Sequence, residues 1–509
     1  MSRQLTLVVQ LVLLVAMAIS SSSGCGDGID LSSDKVTNSS FTGIYETTTP
    51  FIADSTPPQF VGGTITLVQA TDSTLSLSWP TATDNQSKPE DLQYELVYSY
   101  YFEDVNGDVN SQTLAVPAMA WGTNTLAKTL SGLENATTYY LNVLVRDQAN
   151  NVTAIGSTSF ATKATSLSFS TGQNAAYLLG QTDWAMHSIP SPMDLTNRLM
   201  LPLSATANAT TFLVADAGAN RVVTYPIPLT SPVPTATLAI GQPSLAAGTA
   251  GTDAAQMDAP NSVFVRGNRL FVADAGNSRA LLWKSIPTSN GSTADLTIGG
   301  GNVCGESSMK TPGGIATDGR HLVVSDSGNQ RVLVYNSIPT TYPAIPDLVL
   351  GQSSLTDCTS SATFSNPQGV WTNGTWLAVA DPAKISINVW KTFPTATNQP
   401  ADFTLSQNIS VNTASWTGLL SLVAPTGIAS NGIQFFVSDS LKNAVFVWDL
   451  LPTSNTDGPT KVLGQPAFGL AYTASFSQAG LDTPTGLSLS NGALWVADKN
   501  NHRVVGYLP

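Results

Sequence analysis

The stretch Leu322–Pro339 reads LVVSDSGNQRVLVYNSIP. A short apolar run leads into Asp326, a polar turn follows, and a second apolar run starts at Arg331 and ends at Ile-Pro. β-Branched and aromatic residues fill both runs, and Ser-Gly-Asn-Gln breaks them, so the segment reads as two strands joined by a tight turn. The pattern occurs six times: FLVADAGANRVVTYPIP from Phe212, LFVADAGNSRALLWKSIP from Leu270, the Leu322 stretch, LAVADPAKISINVWKTFP from Leu377, FFVSDSLKNAVFVWDLLP from Phe435 and LWVADKNNHRVVGYLP from Leu494. The aspartates are Asp216, Asp274, Asp326, Asp381, Asp439 and Asp498, at intervals of 58, 52, 55, 58 and 59 residues. A strand unit repeating at this scale buries its apolar faces against its neighbours.

Two more strands flank each pair. A turn-led strand precedes it (APNSVFV, TPGGIAT, NPQGVWT, APTGIAS, TPTGLSL), and a strand ending near Gly-Gln follows it (LAIGQ, LTIGG, LVLGQ, FTLSQ, KVLGQ). Four strands per unit make one propeller blade. A lone Gly-Gln strand, Tyr177–Gln181, precedes the first unit, and the last unit stops at Pro509 without one. Pairing of Tyr177–Gly180 with Arg503–Tyr507 would complete the sixth unit and remove an open sheet edge.

Pro-x-Gly-Ile/Val, Leu-x-Val-Ala-Asp and Asn-x-Arg-Val resemble NHL repeats. Asp274, Asn277 and Arg279 match that pattern, as do Asp326, Asn329 and Arg331, and Asp498, Asn501 and Arg503; the first unit has Asp216 and Arg221, with Asn220 one place late. Ser386 and Ala444 stand where the fourth and fifth units should carry Arg. The resemblance covers roughly 174–509 and implies a six-bladed β-propeller there. Such propellers serve binding, scaffolding and catalysis, so it implies little about chemistry.

The chain also resembles a bacterial lipoprotein precursor at its start. Arg3, the apolar run Leu5–Ile19 and the small residues before Cys25 read as an export signal over 1–24, too short for a comfortable membrane span. The resemblance makes Cys25 the lipidated residue; ordinary secretion is the alternative. Residues 25–56, rich in Ser, Thr, Gly and Asp, read as a flexible tether. Over 57–163, Trp79, alternating Tyr94, Leu96 and Tyr98, and the period-two run Leu133–Val145 are similar to a fibronectin type III domain, with Tyr139 as its tyrosine corner. The expected fold class is therefore all-β, a fibronectin-type sandwich followed by a six-bladed propeller.

The net charge of −13, with only 11% charged residues, argues against nucleic acid, which needs basic patches. Besides Cys25 the cysteines are Cys304 and Cys358, which follow the Gly-Gly and Gly-Gln strand ends of neighbouring units. In an exported chain they are expected to pair, with two free thiols as the alternative.

Catalysis has a family precedent, the peptide-amidating lyase, which holds a His-ligated zinc in its propeller centre. His187, His321 and His502 suffice in number, but they fall in a loop, at a strand start and in a repeat turn. No metal site, cofactor or catalytic residue is assigned from them. The repeat aspartates read as turn and ion-pair structure. Asp381 and Asp439, which lack the Arg, are expected to be the least satisfied and so the first candidates for a ligand rim. Trp283, Tyr335, Trp390, Trp448, Tyr507 and Tyr225 recur at one phase and read as packing between blades. Trp371 and Trp376 break the repeat and are candidates for an exposed patch, with carbohydrate stacking as the sharp reading. The expected role is an exported, lipid-anchored monomer of the cell envelope that binds a protein or carbohydrate ligand. The alternatives are a propeller enzyme, a metal-assisted lyase or hydrolase, and a structural envelope or adhesion protein.

Overall fold

The computed structural model describes residues 54–106, 115–186, 195–229, 234–301, 303–361, 363–414, 416–469 and 472–509. The export signal, Cys25, nearly all of the tether and His187 lie outside the described residues.

Strand-forming sequence becomes strand at almost every predicted place. Six four-stranded antiparallel sheets form from the repeat units. The third sheet shows the plan: Pro312–Thr317, Leu322–Asp326, Arg331–Tyr335 and Leu348–Leu350 pair in that order. Its middle strands are buried throughout because apolar residues face a neighbouring sheet on either side. The fourth strand of the sixth sheet comes from the other end of the repeat array. Tyr177 pairs with Gly506, Leu178 with Val505 and Leu179 with Val504, as the leftover strands required.

The first strands of successive sheets touch in chain order, and Pro484–Ser490 of the sixth returns to Pro202–Ala207 of the first. These contacts run in a circuit, the layout of a β-propeller. The recurring aromatics fill the seams: Tyr225, Trp283, Tyr335, Trp390, Trp448 and Tyr507 are all buried. One addition interrupts the pattern, a hairpin of Ile409–Asn412 and Thr417–Leu420 ahead of the fifth sheet. Trp416 at its turn stacks on Phe468, which anchors the hairpin to the fifth sheet's core.

Residues 59–161 form a sandwich of a three-stranded and a five-stranded sheet around Leu75, Leu77, Trp79, Tyr94, Leu96 and Tyr139. The Tyr139 hydroxyl accepts a hydrogen bond from the Glu134 N–H at 2.8 Å, fixing the corner before its strand. The sandwich does not stand off from the circuit. Tyr101 inserts among Phe271, Leu282 and Leu322 of the second and third sheets, and its hydroxyl donates to Arg266 O at 2.6 Å. The Arg269 guanidinium covers the Tyr101 ring at 3.9 Å and pairs with Asp104. Phe102 N donates to Gly319 O at 3.0 Å, and Ile338 N to Glu103 Oε1 at 2.9 Å. Among the described residues no helix is long and apolar enough to cross a membrane.

Candidate functional site: the repeat aspartates and the axial channel

Each repeat aspartate is fully buried. In all six sheets its carboxylate accepts the backbone N–H of the residue sixteen places earlier, from Met200, Asp258, Lys310, Ser365, Val423 and Asp482, at 2.5–2.8 Å. Four of them also pair with the arginine five places on: Arg221 at 2.9 Å, Arg279 at 2.8 Å, Arg331 at 2.7 Å and Arg503 at 2.7 Å. The guanidinium then reaches backbone carbonyls of the flanking loops; Arg331 donates to Gly305 O at 3.0 Å, Ser308 O at 3.1 Å and Leu355 O. One ion pair thus fastens three chain segments. Burial pushes Asp216 and Asp498 up to about 6 against the opposing pull of their arginines. Asp274, Asp326 and Asp439 are raised by the same cause.

Asp381 and Asp439 correct the sequence expectation. Neither forms an exposed rim or lacks partners. Asp381 accepts from Ser365, Asn366, Ala383 and Lys384 N–H groups at 2.6–3.1 Å. Asp439 accepts from Val423, Ala424 and Lys442 N–H groups at 2.7–3.2 Å. With no guanidinium to meet, each carboxylate turns to the free N–H groups at the start of its own turn, which is what an Asp at such a position does best.

The Trp pair is corrected too, because neither residue lies in an exposed patch. Trp376 is half-buried against the fourth and fifth sheets. Trp371, also half-buried, donates its Nε1 to Ser430 O at 3.2 Å and lies on the wall of a cavity.

That cavity, of about 730 Å³, runs along the axis of the circuit and is lined by the first strands of all six sheets. Residues 134–138 of the sandwich, with Ala161, Thr162 and Ala164, line one end. Pro382, Ser440 and Lys499, each the residue after a repeat aspartate, line the other. The sandwich therefore caps the mouth at the hairpin tips and leaves the aspartate-turn mouth. Near the capped end, Arg266 is engaged with Tyr100 O at 3.4 Å and Thr138 O at 2.8 Å. Glu134 accepts from the Tyr100 hydroxyl at 3.1 Å, and burial raises its pKa.

The residue after each repeat proline reaches this wall: Leu203, Asn261, Gly313, Gln368, Thr426 and Thr485. Asn261 Nδ2 donates to Gln368 Oε1 at 2.9 Å, and Gln368 Nε2 donates to Asn366 Oδ1 at 2.9 Å. A Cβ on Gly313 would sit 3.0 Å from Gln368 Oε1, so glycine there lets the amide cross the third sheet. Sequence reading treated these positions as turn residues only. Their shared register behind the proline was the signal that could have found them.

His321 and His502 do not approach the axis as a pair. His321 Nδ1 pairs with Asp318 at 2.7 Å and its ring stacks on Phe393, while His502 Nδ1 accepts from Leu201 N–H at 3.2 Å. Cys304 and Cys358 are joined by a disulfide, Cα–Cα 6.0 Å, across the loops of the second and third sheets. Three carboxylates that sequence spacing kept apart do meet in the sandwich: Asp54, Asp84 and Asp147 bring oxygens within 4.8 Å of one another, the described group that could hold a cation.

The NHL repeat family model matches residues 481–507, the three consecutive strands of the sixth sheet. No curated protein matches the chain. Among solved structures, a putative oxidoreductase (glucose dehydrogenase) from Thermus thermophilus is 12% identical over 60% of this chain and 96% of its own, TM-score 0.37. A nidogen/laminin complex chain is 14% identical over 59% of this chain and 94% of its own, TM-score 0.32. The fibronectin type III domain of human fibronectin type III domain containing protein 3 is 22% identical over 22% of this chain and 89% of its own, TM-score 0.17. Each is a distant likeness.

Proposed function

We propose that the chain is an exported, lipid-anchored binding protein whose six sheets are the blades of a six-bladed NHL-type propeller, with a fibronectin type III-like domain fixed across one mouth. One observation carries the reading. The repeat's ionisable residues, the six aspartates and four arginines, are consumed within the scaffold as buried pairs and turn acceptors. What remains for contact with other molecules is the loop surface and a channel walled largely by uncharged side chains. That inventory suits recognition, since a propeller that performs acid–base or metal chemistry needs titratable groups converging on its axis. Cys25 after small residues is the feature that supports the anchor.

The test has two parts. Radiolabelled palmitate should enter the wild-type protein in a bacterial host and not a Cys25→Ser variant. Crosslinking of the full chain at the cell surface should then recover a reproducible partner or ligand; turnover of an ester, amide or glycoside panel without any such partner would reject the binding reading.

A further inference from the structure

The channel is built for one kind of guest. Its two ends differ: the sandwich occupies the hairpin mouth, so a ligand reaches the interior past Pro382, Ser440 and Lys499. Inside that mouth stands a band of neutral hydrogen-bonding groups. Gln368 sits at its centre, bonded to Asn261 of the second sheet's first strand and to Asn366 of its own loop. Among the described residues the side-chain amide nitrogen of Asn366 donates to nothing.

Charge narrows the class. The guanidinium of Arg266 and the carboxyl of Glu134 already bond within the sandwich contact, so neither offers a counter-charge to a guest. Lys499 is the remaining lining charge and stands at the mouth, so a charged ligand that passed it would leave water for a wall of neutral groups. Hydroxyl groups both donate and accept, and so match amides and serines at any orientation. Trp371, its ring packed against Phe435 and held by the bond to Ser430 O, is an aromatic residue that lines the same cavity. The cavity, about 730 Å³, falls in the range of small-molecule sites.

We propose that this channel binds a short uncharged oligosaccharide through the aspartate-turn mouth, with Gln368, Asn366 and Asn261 as its polar contacts and Trp371 as its stacking wall. The proposal rests on reading the propeller as a binding protein and names its site and ligand class.

Calorimetric titration of the purified full-length chain with maltohexaose, cellohexaose and chitohexaose tests it, with polygalacturonate as the charged probe. The expected result is saturable binding of at least one neutral oligomer, weakened about tenfold in Gln368→Ala and abolished in Thr485→Trp, which fills the channel. Asn366→Ala, outside any strand, serves if either variant melts early. Binding of none of the three, tighter binding of polygalacturonate, or binding unchanged by the folded variants overturns the proposal. Capture of a protein partner equally by wild type and Thr485→Trp, with no oligosaccharide bound, ends the channel proposal and leaves the binding reading standing. Loss of both kinds of binding ends both.

Discussion

Replacing Arg331 with leucine asks whether the buried ion pair holds its blade together. Arg331 and Asp326 are both fully buried, 2.7 Å apart. The substitution removes that pair and the three carbonyl bonds to Gly305, Ser308 and Leu355. Asp326 keeps only Lys310 N at 2.6 Å and Asn329 Nδ2 at 2.9 Å as donors. Breaking a buried pair by deleting one partner costs about 3–5 kcal/mol, because the other charge stays buried. The three carbonyls belong to loops that can turn towards water, so they add little. An expected loss of about 4 kcal/mol corresponds to a fall in melting temperature of roughly 5–10 °C in a large domain. The double variant Asp326→Asn/Arg331→Leu removes the stranded charge as well and should recover about 2 kcal/mol of the loss. The pH dependence has a definite sign. Burial already raises the Asp326 pKa, and loss of Arg331 raises it further. A raised carboxyl favours the folded state most when protonated, so the single variant's deficit should shrink as pH falls towards 4 and grow towards neutrality. A deficit below about 1 kcal/mol, or a double variant no better than the single one, would refute the argument. Differential scanning fluorimetry at pH 4.5 and 7.5, with hydrogen exchange to localise the opening, reads all three quantities.

Three further outcomes follow from other parts of the scaffold. Gly351 has φ +84°, and a Cβ there would lie 2.4 Å from Phe364 Cδ2, so Gly351→Ala should cost about 2–4 kcal/mol; Gly432→Ala, at φ +83° in open space, should cost only the backbone strain of about 1 kcal/mol, and urea melts compare them. Reduction should destabilise the wild type by about 4 kcal/mol through loss of the Cys304–Cys358 cross-link, 54 residues apart, and should leave a Cys304→Ser/Cys358→Ser variant unmoved by reductant. Asp216, pushed up to about 6, favours folding when protonated, so between pH 4 and 6 the wild type should lose stability relative to Asp216→Asn as pH rises, and equal slopes for the two proteins in a pH series of melts would contradict this.

The strands and the terminal pairing could be read from the chain because period, punctuation and a leftover strand at each end are local facts. Residues 177–179 had no partner in their own neighbourhood, and residues 503–507 had one edge too many. The docking of the sandwich was not legible in that way. Arg266, Arg269 and Arg320 sit at hairpin tips, where arginine is ordinarily a solvated residue. Their roles appear only when Tyr100, Tyr101 and Phe102 come within reach from more than a hundred residues away. Asp381 and Asp439 misled for a different reason. A missing arginine was read as a missing partner, yet backbone N–H groups carry no sequence signature and were there in number. The acid group of Asp54, Asp84 and Asp147 is a product of the sandwich topology alone.

Comparison of the six sheets with one another separates scaffold from specificity. The aspartate is present six times out of six and is buried each time, so its role is set by the fold. The aromatic two strands out is always Trp or Tyr, because each seam needs a large ring there. The position after the repeat proline obeys no such constraint: it holds Leu203, Asn261, Gly313, Gln368, Thr426 and Thr485 in turn. These residues line the axial cavity rather than the buried seams between sheets. Five different residue types occupy this one structural position, and the amides at two of the six bond across the third sheet. A ring of that kind is asymmetric inside a symmetric frame. Recognition of an asymmetric ligand on the axis requires such a ring, and the repeat's invariant residues, being equivalent in every sheet, could not supply it.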